Sequence, residues 1–482
     1  MTQQAATMQP PASGVKVRMY NPGFGDCLLL AFPAAEGAFY LLIDFGVHHI
    51  YAGGAERARR VAEDIARATG RRLDAVAVTH EHTDHLYGFR HARATFEDPE
   101  FRIGELWLAW PEDPAHPMAQ ELKARYGRRV RALAAAVAQL RVVDRGLAEA
   151  LEAVLAFEPA ATSDESAELR FLRAKAERAP RHGDDYLHPS ATPHTVAGVE
   201  GARFYVLGPP LSVTAIRSLE RKSELYVHEM LDADVAFAAA VLGAEPDATP
   251  ADRELFELTR PFDVHRGIAP DTIAQDPDYA EFFRTYYGFG EGGDEGPSWR
   301  RIETDWLAAA EQLALRIDNK TNNTSLVLAV ELTETVPHKV LLFVADAQVG
   351  SWLSWHELDG EGQLLPDLLQ RTVLYKVGHH GSHNATLRQK GLEMMGHPDL
   401  VALIPVDEAW ANSVPRWAHP NPRLYQRLEE KTHGRILRTD RIPDAPDARP
   451  EGWRDAEWEA FGDRVAWDES PDRLWIEITV PG

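Results

Sequence analysis

Four side chains that can bind metal ions lie close together early in the chain. His80, His82, Asp84 and His85 follow the pattern His-x-His-x-Asp-His, directly after the apolar run at residues 75–78. A strand that ends in a tight loop would direct all four side chains toward one point. Zinc and similar divalent metals favour imidazole and carboxylate ligands, and a catalytic site leaves a position open for water. The pattern therefore predicts a metal-binding loop rather than a solvated loop that happens to be rich in histidine.

The composition indicates a globular protein with an acidic surface. The chain has 482 residues, of which 44% are hydrophobic and 26% are charged, and its formal net charge is −23. Domains commonly have about 150 residues, so this length fits about three domains or one large, elaborated domain. A strongly acidic surface repels phosphate backbones, which disfavours nonspecific nucleic-acid binding but does not exclude a metal-filled cleft.

The sequence shows no recognisable targeting or membrane segment. Cys27 is the single cysteine, so no disulfide within the chain is expected. Residues 1–14 are polar, contain two prolines and do not resemble a signal peptide, and we expect them to be disordered. No apolar run approaches the roughly 18 residues that a membrane-spanning helix needs. These features predict a soluble, cytoplasmic protein that has no membrane partner.

Two groups of strands, separated by a helical region, are predicted to position the metal-binding loop. The predicted strands are residues 15–19, 27–32, 39–43, 75–78, 102–110, 202–207, 325–330, 339–344, 372–377, 400–405, 436–438 and 474–480. Apolar residues at helical spacing predict helices at 55–69, over much of 111–178 and 211–306, at 299–317 and from 419 to 428. Several later strands end in polar residues, and loops at strand ends are where catalytic groups are expected.

Motifs in both halves of the chain resemble those of metallo-β-lactamase-fold hydrolases. In order, they read NPGFGDCLLL, LLIDFG, THEHTDH, NNTSLVL, LLFVADA, YKVGHHGS, and AHPNPRLYQRL followed by ILRTD. They cover most of residues 15–105 and 318–440. They are most similar to the hydrolase domain of ComEC-type DNA-uptake proteins and to its free-standing soluble relatives. The resemblance implies an α/β (α+β) fold, an αββα sandwich in which two sheets lie face to face with helices outside.

The resemblance also implies a domain organisation. Residues 1–14 would be a disordered N-terminus, residues 15–110 the first half of the metallo-β-lactamase core, and residues 316–482 its second half. Residues 111–315 do not match the core closely, except at 198–210, which resembles a strand of the family. We interpret residues 111–315 as a mainly helical insertion that forms a lid or a specificity region.

Metal ligands from both halves of the chain follow from the resemblance. The predicted set is His80, His82, Asp84, His85, Asp346, His380 and Asn322. The two histidines of His-x-His would bind one metal, and the Asp-His pair that follows would bind the second. Asp346 would bridge the two metals, although relatives usually have glycine in place of the preceding Ala345. The implied cofactors are two divalent metals, with Zn²⁺ favoured and Mn²⁺ as the alternative.

Two of these positions leave alternatives. Either histidine of the GHHGS segment could complete the second metal site, and His380 is favoured over His379. Many relatives supply a further histidine near the position of Asn322, where this chain has asparagine, as ComEC-type proteins do. The metal held by His80 and His82 would then bind more weakly or take a water molecule as a ligand.

The chemistry implied by the resemblance is hydrolysis by an activated hydroxide. Two metals about 3.5–4 Å apart lower the pKa of a bridging water, which then attacks phosphorus or a carbonyl carbon. The predicted catalytic residues are Asp84, His379, Asp26 and Lys376. Asp26 could equally be a turn residue, and Lys376, a candidate phosphate contact, could be a structural lysine. Asp44 is expected to orient ligand histidines.

Three classes of function are compatible with the sequence. The leading hypothesis is a metal-dependent phosphodiester hydrolase, either a nuclease or a nucleotide phosphodiesterase. The acidic charge favours a small-molecule or nucleotide phosphoester over nucleic acid as the partner. The second hypothesis is hydrolysis of a lactone, thioester or other acyl bond, since one fold hosts many reactions. The third is a non-enzymatic regulatory or binding module, against which the intact ligand set argues. The oligomeric state is not predicted.

Overall fold

The chain forms two compact units. The computed structural model describes residues 7–143, 145, 148, 151–152, 165–212, 215–216, 275–287, 322–414, 417–441 and 453–482. Unit 1 comprises Met1–Ala124, Phe157–Glu229 and Asp318–Gly482, and unit 2 comprises Arg125–Ala156 and Met230–Ile317. The predicted helix at residues 299–317 and most of the predicted helical region at 211–306 lie outside the described residues.

Two β-sheets form the centre of unit 1. Their strands are β1 (Gly14–Tyr20), β2 (Leu28–Ala34), β3 (Gly37–Ile43), β4 (Arg72–Ala77), β5 (Arg102–Trp107), β6 (Ala176–Arg178), β7 (Ala202–Gly208), β8 (Val327–Leu332), β9 (Lys339–Phe343), β10 (Thr372–Lys376), β11 (Val401–Ile404), β12 (Ile436–Arg438), β13 (Val465–Trp467) and β14 (Trp475–Pro481). The eight-stranded sheet has the order β13-β14-β1-β2-β3-β4-β5-β6, and the six-stranded sheet has the order β12-β11-β10-β9-β8-β7. Both sheets are mixed.

Parallel pairing within each sheet determines which loops become neighbours. β3 and β4 are parallel, and Ile43 lies opposite Ala77 at their carboxyl ends. β9 and β10 are also parallel, and Phe343 lies opposite Lys376. Because parallel strands end at the same edge of a sheet, the loops that follow each pair of strands start side by side.

The helices lie along the chain between these strands. They are α1 (Gly54–Thr69), α2 (Thr83–His91), α3 (Arg93–Glu97), α4 (Pro117–Val143), α5 (Ala167–Lys175), α6 (Pro277–Tyr287), α7 (Val349–Trp355), α8 (Leu364–Gln370), α9 (Glu408–Ser413), α10 (Pro422–Thr432) and α11 (Asp455–Gly462). Short 3₁₀ turns occur at Trp110–Glu112, Gly183–Asp185, Gly378–Gly381 and Leu392–Met394. Within the part of the chain that the structure describes, no helix combines the length and the apolar character needed to cross a membrane.

Alternating apolar residues give each sheet two buried faces. In β2, Leu28 and Leu30 pack in the core between the sheets, whereas Leu29 packs on the other face with Val61 of α1. The second sheet behaves in the same way. In β9, Leu341 and Phe343 belong to the core between the sheets, whereas Leu342 packs against Trp352 of α7. This period of two residues is that of a strand, and it produces an αββα sandwich.

The predicted fold class is confirmed, and the structure adds elements that the pattern did not indicate. β6 and β13 have three residues each, and α7 and α8 have seven. Segments this short contain too few residues for an apolar periodicity to be recognised. β6 follows α5 directly, within the region 111–178, over much of which the sequence predicted helices.

Candidate metal centre

The predicted metal ligands converge at the sheet edge where the parallel strands end. The His-x-His-x-Asp-His segment begins after β4 and continues into the first turn of α2, Asp346 follows β9, and His380 follows β10. All of these side chains are buried: His80, His82, Asp84, His85, Asp346 and His380. The two parallel pairs, β3–β4 and β9–β10, therefore bring residues from distant parts of the chain into one cluster.

Among the described residues, three groups have the geometry of metal-ligand sets: two of them share one carboxylate, and the third consists of Asp26, Asp44 and His85. We call Asp84, His85, Asp346 and His380 set A, and we call His80, His82 and Asp346 set B. Within each set, one ligand atom per residue lies within 4.8 Å of every other. The carboxylate of Asp346 is the member common to both sets.

Short distances between ligand atoms occur within each set. In set A, His380 Nε2 is 3.1 Å from Asp84 Oδ2, and His85 Nε2 is 3.1 Å from Asp346 Oδ2. In set B, His80 Nε2 is 3.0 Å from the Nδ1 atom of the next histidine along the loop and 3.9 Å from Asp346 Oδ2. The nitrogen and oxygen atoms that bind one divalent metal must lie close to one another, and these distances meet that requirement.

The outer nitrogen of each set A histidine is held by a hydrogen bond. His85 Nδ1–H donates to Asp44 Oδ2 at 2.8 Å, and His380 Nδ1–H donates to the Pro405 carbonyl at 2.6 Å. A proton on Nδ1 leaves the lone pair of Nε2 available, and in both residues Nε2 is the atom that faces the ligand set. This arrangement, in which a metal-binding histidine donates its other N–H to a carboxylate or a carbonyl, is common at metal sites.

Two hydroxyl groups that sequence reasoning missed complete this hydrogen-bond network. Thr79 donates from its backbone N–H and its Oγ1 to the two oxygens of Asp44, at 2.8 and 2.7 Å. Ser325 Oγ lies 3.3 Å from His80 Nδ1 and accepts the backbone N–H of Asp346 at 3.4 Å. Their positions gave a signal, since Thr79 directly precedes the first ligand histidine and Ser325 belongs to the NNTS segment.

The electric fields of neighbouring groups set the protonation of the ligands. Burial opposes ionisation of Asp346, but His85 and His379 outweigh this effect and hold its pKa well below the usual range. Burial would lower the pKa of His85, but the carboxylates of Asp346 and Asp44 raise it well above its usual value. Burial and the nearby His85 and His82 lower the pKa of His80 well below its usual value, which leaves that imidazole neutral.

The donor atoms of the cluster fit divalent cations. Four buried carboxylates lie there, from Asp26, Asp44, Asp84 and Asp346, together with the buried Lys376. Among the described residues, Asp84 Oδ1, His85 Nε2 and both oxygens of Asp346 are buried without a hydrogen-bond partner. Buried negative charge and unsatisfied buried acceptors are costly unless a cation or a donor compensates them. The residues present therefore fit two divalent metals, one in each set.

Asp26 and Lys376 form an ion pair at the inner side of the cluster. Both side chains are 1% exposed, and the ammonium group also donates to the Ala345 carbonyl at 3.2 Å. Lys376 Nζ is 3.9 Å from Asp346 Oδ1, and Asp26 Oδ1 is 3.6 Å from His380 Nδ1. The pair therefore lies beside the ligand sets and beneath the surface, and its catalytic role stays a prediction.

His379 and Asn322 lie next to the ligand sets. His379 Nε2 is 3.8 Å from Asp346 Oδ2, and its side chain is 14% exposed, whereas His380 is fully buried. Burial lowers the pKa of His379 to about 4, although Asp346 opposes the shift. Asn322 Nδ2 is 3.5 Å from His379 Nδ1. The predicted roles of these residues, catalysis for His379 and metal binding for Asn322, stay predictions.

Unusual backbone geometry is concentrated around the cluster. Asp44, Ala345, His379 and His380 have φ values of 56°, 47°, 44° and 50°, in the left-handed region that non-glycine residues seldom adopt. Such strain costs on the order of 1–3 kcal/mol per residue and is found mainly at functional sites.

Gly46 packs directly against the metal-binding loop. A Cβ atom at Gly46 would lie 1.7 Å from the Asp84 carbonyl oxygen. Only glycine allows this close approach to the metal-binding loop.

Comparison with known families agrees with this geometry. Residues 20–199 match the model of the metallo-beta-lactamase superfamily, over less than half of the chain. The match includes the His-x-His-x-Asp-His loop and ends before Asp346 and His380, which the fold brings to the same cluster. None of the curated proteins matches the chain. The matched segment, the two mixed sheets and the buried histidine and aspartate clusters agree with a metallo-beta-lactamase fold, and residues 20–199 are similar to that superfamily.

Proposed function

We propose that this chain is a divalent-metal-dependent hydrolase that cleaves phosphodiester bonds. The observation that carries the proposal is the sharing of Asp346 between set A and set B. Paired metal sites a few ångströms apart are used by phosphatases and nucleases. The chemistry that divalent metals supply at such paired sites is Lewis-acid activation of water and of the phosphoryl group. The resemblance of seven segments to ComEC-type hydrolase domains supports the choice of a phosphodiester over an acyl bond.

The residues of the chain position the set A histidines before substrate arrives. Asp44 and the Pro405 carbonyl hold the rings of His85 and His380, so that both Nε2 atoms face the ligand set. Burial of the ligands excludes bulk water and strengthens their electrostatic interactions with a bound ion. The ligands therefore need little rearrangement, which is the general advantage of a preorganised site.

His379 is the residue that we assign to substrate contact. It is adjacent to the shared Asp346 and is more exposed than His380. A pKa of about 4 means that its imidazole is neutral at pH 7, when one nitrogen can donate a hydrogen bond and the other can accept one. We propose that His379 donates to an oxygen of the phosphoester and thereby orients it beside Asp346.

The charge of the protein limits the substrate class. A net charge of −23 opposes the approach of a long polyanion, whereas a small phosphodiester has few charges to repel. We therefore propose a small-molecule or nucleotide phosphodiester as the substrate. Long single-stranded or duplex nucleic acid is the disfavoured alternative.

The test compares substrates on protein loaded separately with Zn²⁺ and with Mn²⁺. We expect hydrolysis of bis-p-nitrophenyl phosphate and slower cleavage of single-stranded DNA, with both activities abolished by a chelator. Asp346→Asn is the matched control, because it keeps the size of the side chain and removes the shared ligand charge. A lactone and nitrocefin panel is measured in parallel. Metal-loaded protein that cleaves no phosphodiester, or that cleaves only acyl bonds, would contradict the proposal.

A further inference from the structure

A carboxylate inside the metal-binding loop is held by residues outside the ligand sets. Glu81 lies between the two histidines of set B. The backbone N–H of Ser166 donates to Glu81 Oε2 at 3.0 Å, and Lys123 Nζ is 3.7 Å from Glu81 Oε1. The side chain of Glu81 is only 13% exposed. The chain between His80 and His82 is therefore anchored through this carboxylate.

A second carboxylate shares the same lysine. Lys123 Nζ donates to Glu112 Oε2 at 3.0 Å, and the side chain of Glu112 is 11% exposed. Glu112 raises the pKa of Lys123, and Glu81 adds to this effect, while burial opposes both. One ammonium group thus contacts two largely buried carboxyl groups, and all three residues belong to unit 1.

We propose that Lys123 is a positioning residue for the set B metal ligands, acting through Glu81. The inference rests on metal binding at set B, which is part of the proposed function, but it does not depend on the bond that the enzyme cleaves. Lys123 does not belong to either ligand set. Its role is to keep the Glu81 carboxylate in place and, through the backbone, the two imidazoles on either side of it.

The physical basis is the contact of one ammonium group with two carboxyl groups of low exposure. Removing a partner from such a group leaves the remaining members uncompensated, which is destabilising at a buried location. Without Lys123, the Glu81 side chain would lose this contact, and the loop would move with Glu81. Metal–ligand distances tolerate changes of only about 0.2 Å. Loss of residues that support ligands typically lowers metal affinity about 10–100-fold. We expect Lys123→Met to weaken the set B metal by about tenfold and to leave the set A metal nearly unchanged.

The experiment measures metal affinity rather than turnover. Zn²⁺ is titrated into metal-free full-length protein against a competing chromophoric chelator, and His82→Ala identifies the set B binding step. Co²⁺ is used in parallel, because its visible absorption reports the geometry of the ligands. Lys123→Arg should restore both signals, since it keeps the charge. Lys175→Met is the matched control, because Lys175 donates to the Asp98 carbonyl and to neither glutamate.

A double-mutant cycle decides whether Lys123 acts through Glu81. In a Glu81→Gln background, Lys123→Met should lower set B affinity by less than about twofold, because the carboxylate to be held is gone. An equal loss in both backgrounds, or wild-type affinity in Lys123→Met, would overturn the inference. If Lys123→Met does not fold, Lys123→Gln replaces it in both backgrounds, and the same affinity changes are expected; wild-type set B affinity in Lys123→Gln would overturn the inference. Protein that shows these affinity changes but no phosphodiesterase activity would refute the proposed substrate and retain this inference.

Discussion

The Asp44 carboxylate accepts the Nδ1–H of His85 at 2.8 Å, and this bond directs His85 Nε2 toward Asp346, 3.1 Å away. Asp44 directly follows β3, and His85 lies in the first turn of α2. The pairing therefore connects the β3–β4 part of the cluster to the carboxylate that both ligand sets share. Asp44 adopts a left-handed backbone conformation at this point.

Asp44→Ala should weaken metal binding at set A. Without the carboxylate, His85 loses the acceptor that fixes its tautomer and ring orientation, and removal of such a partner lowers affinity about 10–100-fold. The measurement is a competitive Zn²⁺ titration of metal-free protein. Set B should change much less, because His80 has Thr79 and Ser325 beside its Nδ1 atom. Equal weakening of both binding steps would be inconsistent with this assignment.

Asp346→Asn and Asp84→Asn should differ in the number of metals that the protein retains. Asp346 belongs to both sets, whereas Asp84 belongs only to set A. We expect Asp346→Asn to lose most of both metals and Asp84→Asn to lose mainly one. Inductively coupled plasma mass spectrometry of purified protein, with protein quantified by amino-acid analysis, gives the ratio. The same metal content in the two variants would show that Asp346 is not shared.

Gly46→Ala should displace the metal-binding loop through a steric clash with its backbone. A methyl group there would lie 1.7 Å from the Asp84 carbonyl oxygen, so the loop that carries Asp84 and His85 must move. We expect a loss of about 2 kcal/mol or more in stability, in line with other overpacked sites, together with weaker set A binding. Gly183→Ala is the control, because nothing lies within 4 Å of its added methyl group. Urea unfolding and metal titration of both variants check the prediction. Wild-type stability and wild-type set A affinity in Gly46→Ala would refute it.

Lys376→Met should separate a structural role of the buried ion pair from a catalytic one. Removing one member of a buried pair typically costs about 3–5 kcal/mol, whereas replacing both members can be nearly neutral. Asp26→Asn/Lys376→Met should therefore regain most of the stability that Lys376→Met loses in urea unfolding. If activity returns with stability in the double variant, the pair is structural. If the double variant is stable but inactive, this result would support the catalytic roles predicted for Asp26 and Lys376.

His48 should make the metal-free protein sensitive to acid. Burial lowers the pKa of His48 to about 3, although Asp84 opposes the shift. The unfolded chain, with a histidine pKa of about 6.5, binds the proton first, so stability is present above pH 6.5 and is lost as the pH falls toward 3. The loss reaches about 2 kcal/mol by pH 5. His48→Gln should reduce the loss of urea stability between pH 7 and pH 5 by about 2 kcal/mol, whereas the exposed His182→Gln should not. An unchanged slope in His48→Gln would contradict the shifted pKa.

Much of the fold was predictable because its strands carry a clear apolar periodicity. The strands around Val17, Leu30, Leu41 and Leu341 were all predicted within a few residues of their observed bounds. The short strands β6 and β13 were not predicted. They are stabilised by pairing with β5 and β14 and have little apolar periodicity of their own. Tertiary hydrogen bonds therefore created elements that local sequence could not specify.

In the candidate site, too, some features were predictable from the sequence and others were not. Residue type and spacing were enough to predict a metal-binding loop at His80–His85, because four ligand groups so close together rarely have another use. The choice of His380 over His379 rested on resemblance, and the structure places His380 in set A and His379 beside it. Both residues have left-handed backbone angles, which no sequence pattern indicates.

The sequence by itself predicted a metal-binding loop from residue types and spacing, and it predicted the sandwich of two sheets through resemblance to a known family. Only the tertiary structure decided which candidate ligands lie together and what holds them. Asp346 is 261 positions from His85, and Lys123 is 42 positions from Glu81, so their contacts arise where strands end and helices pack. Spacing along the chain carries no information about such distances, because they depend on the register of parallel strands and on the packing of the layers above them.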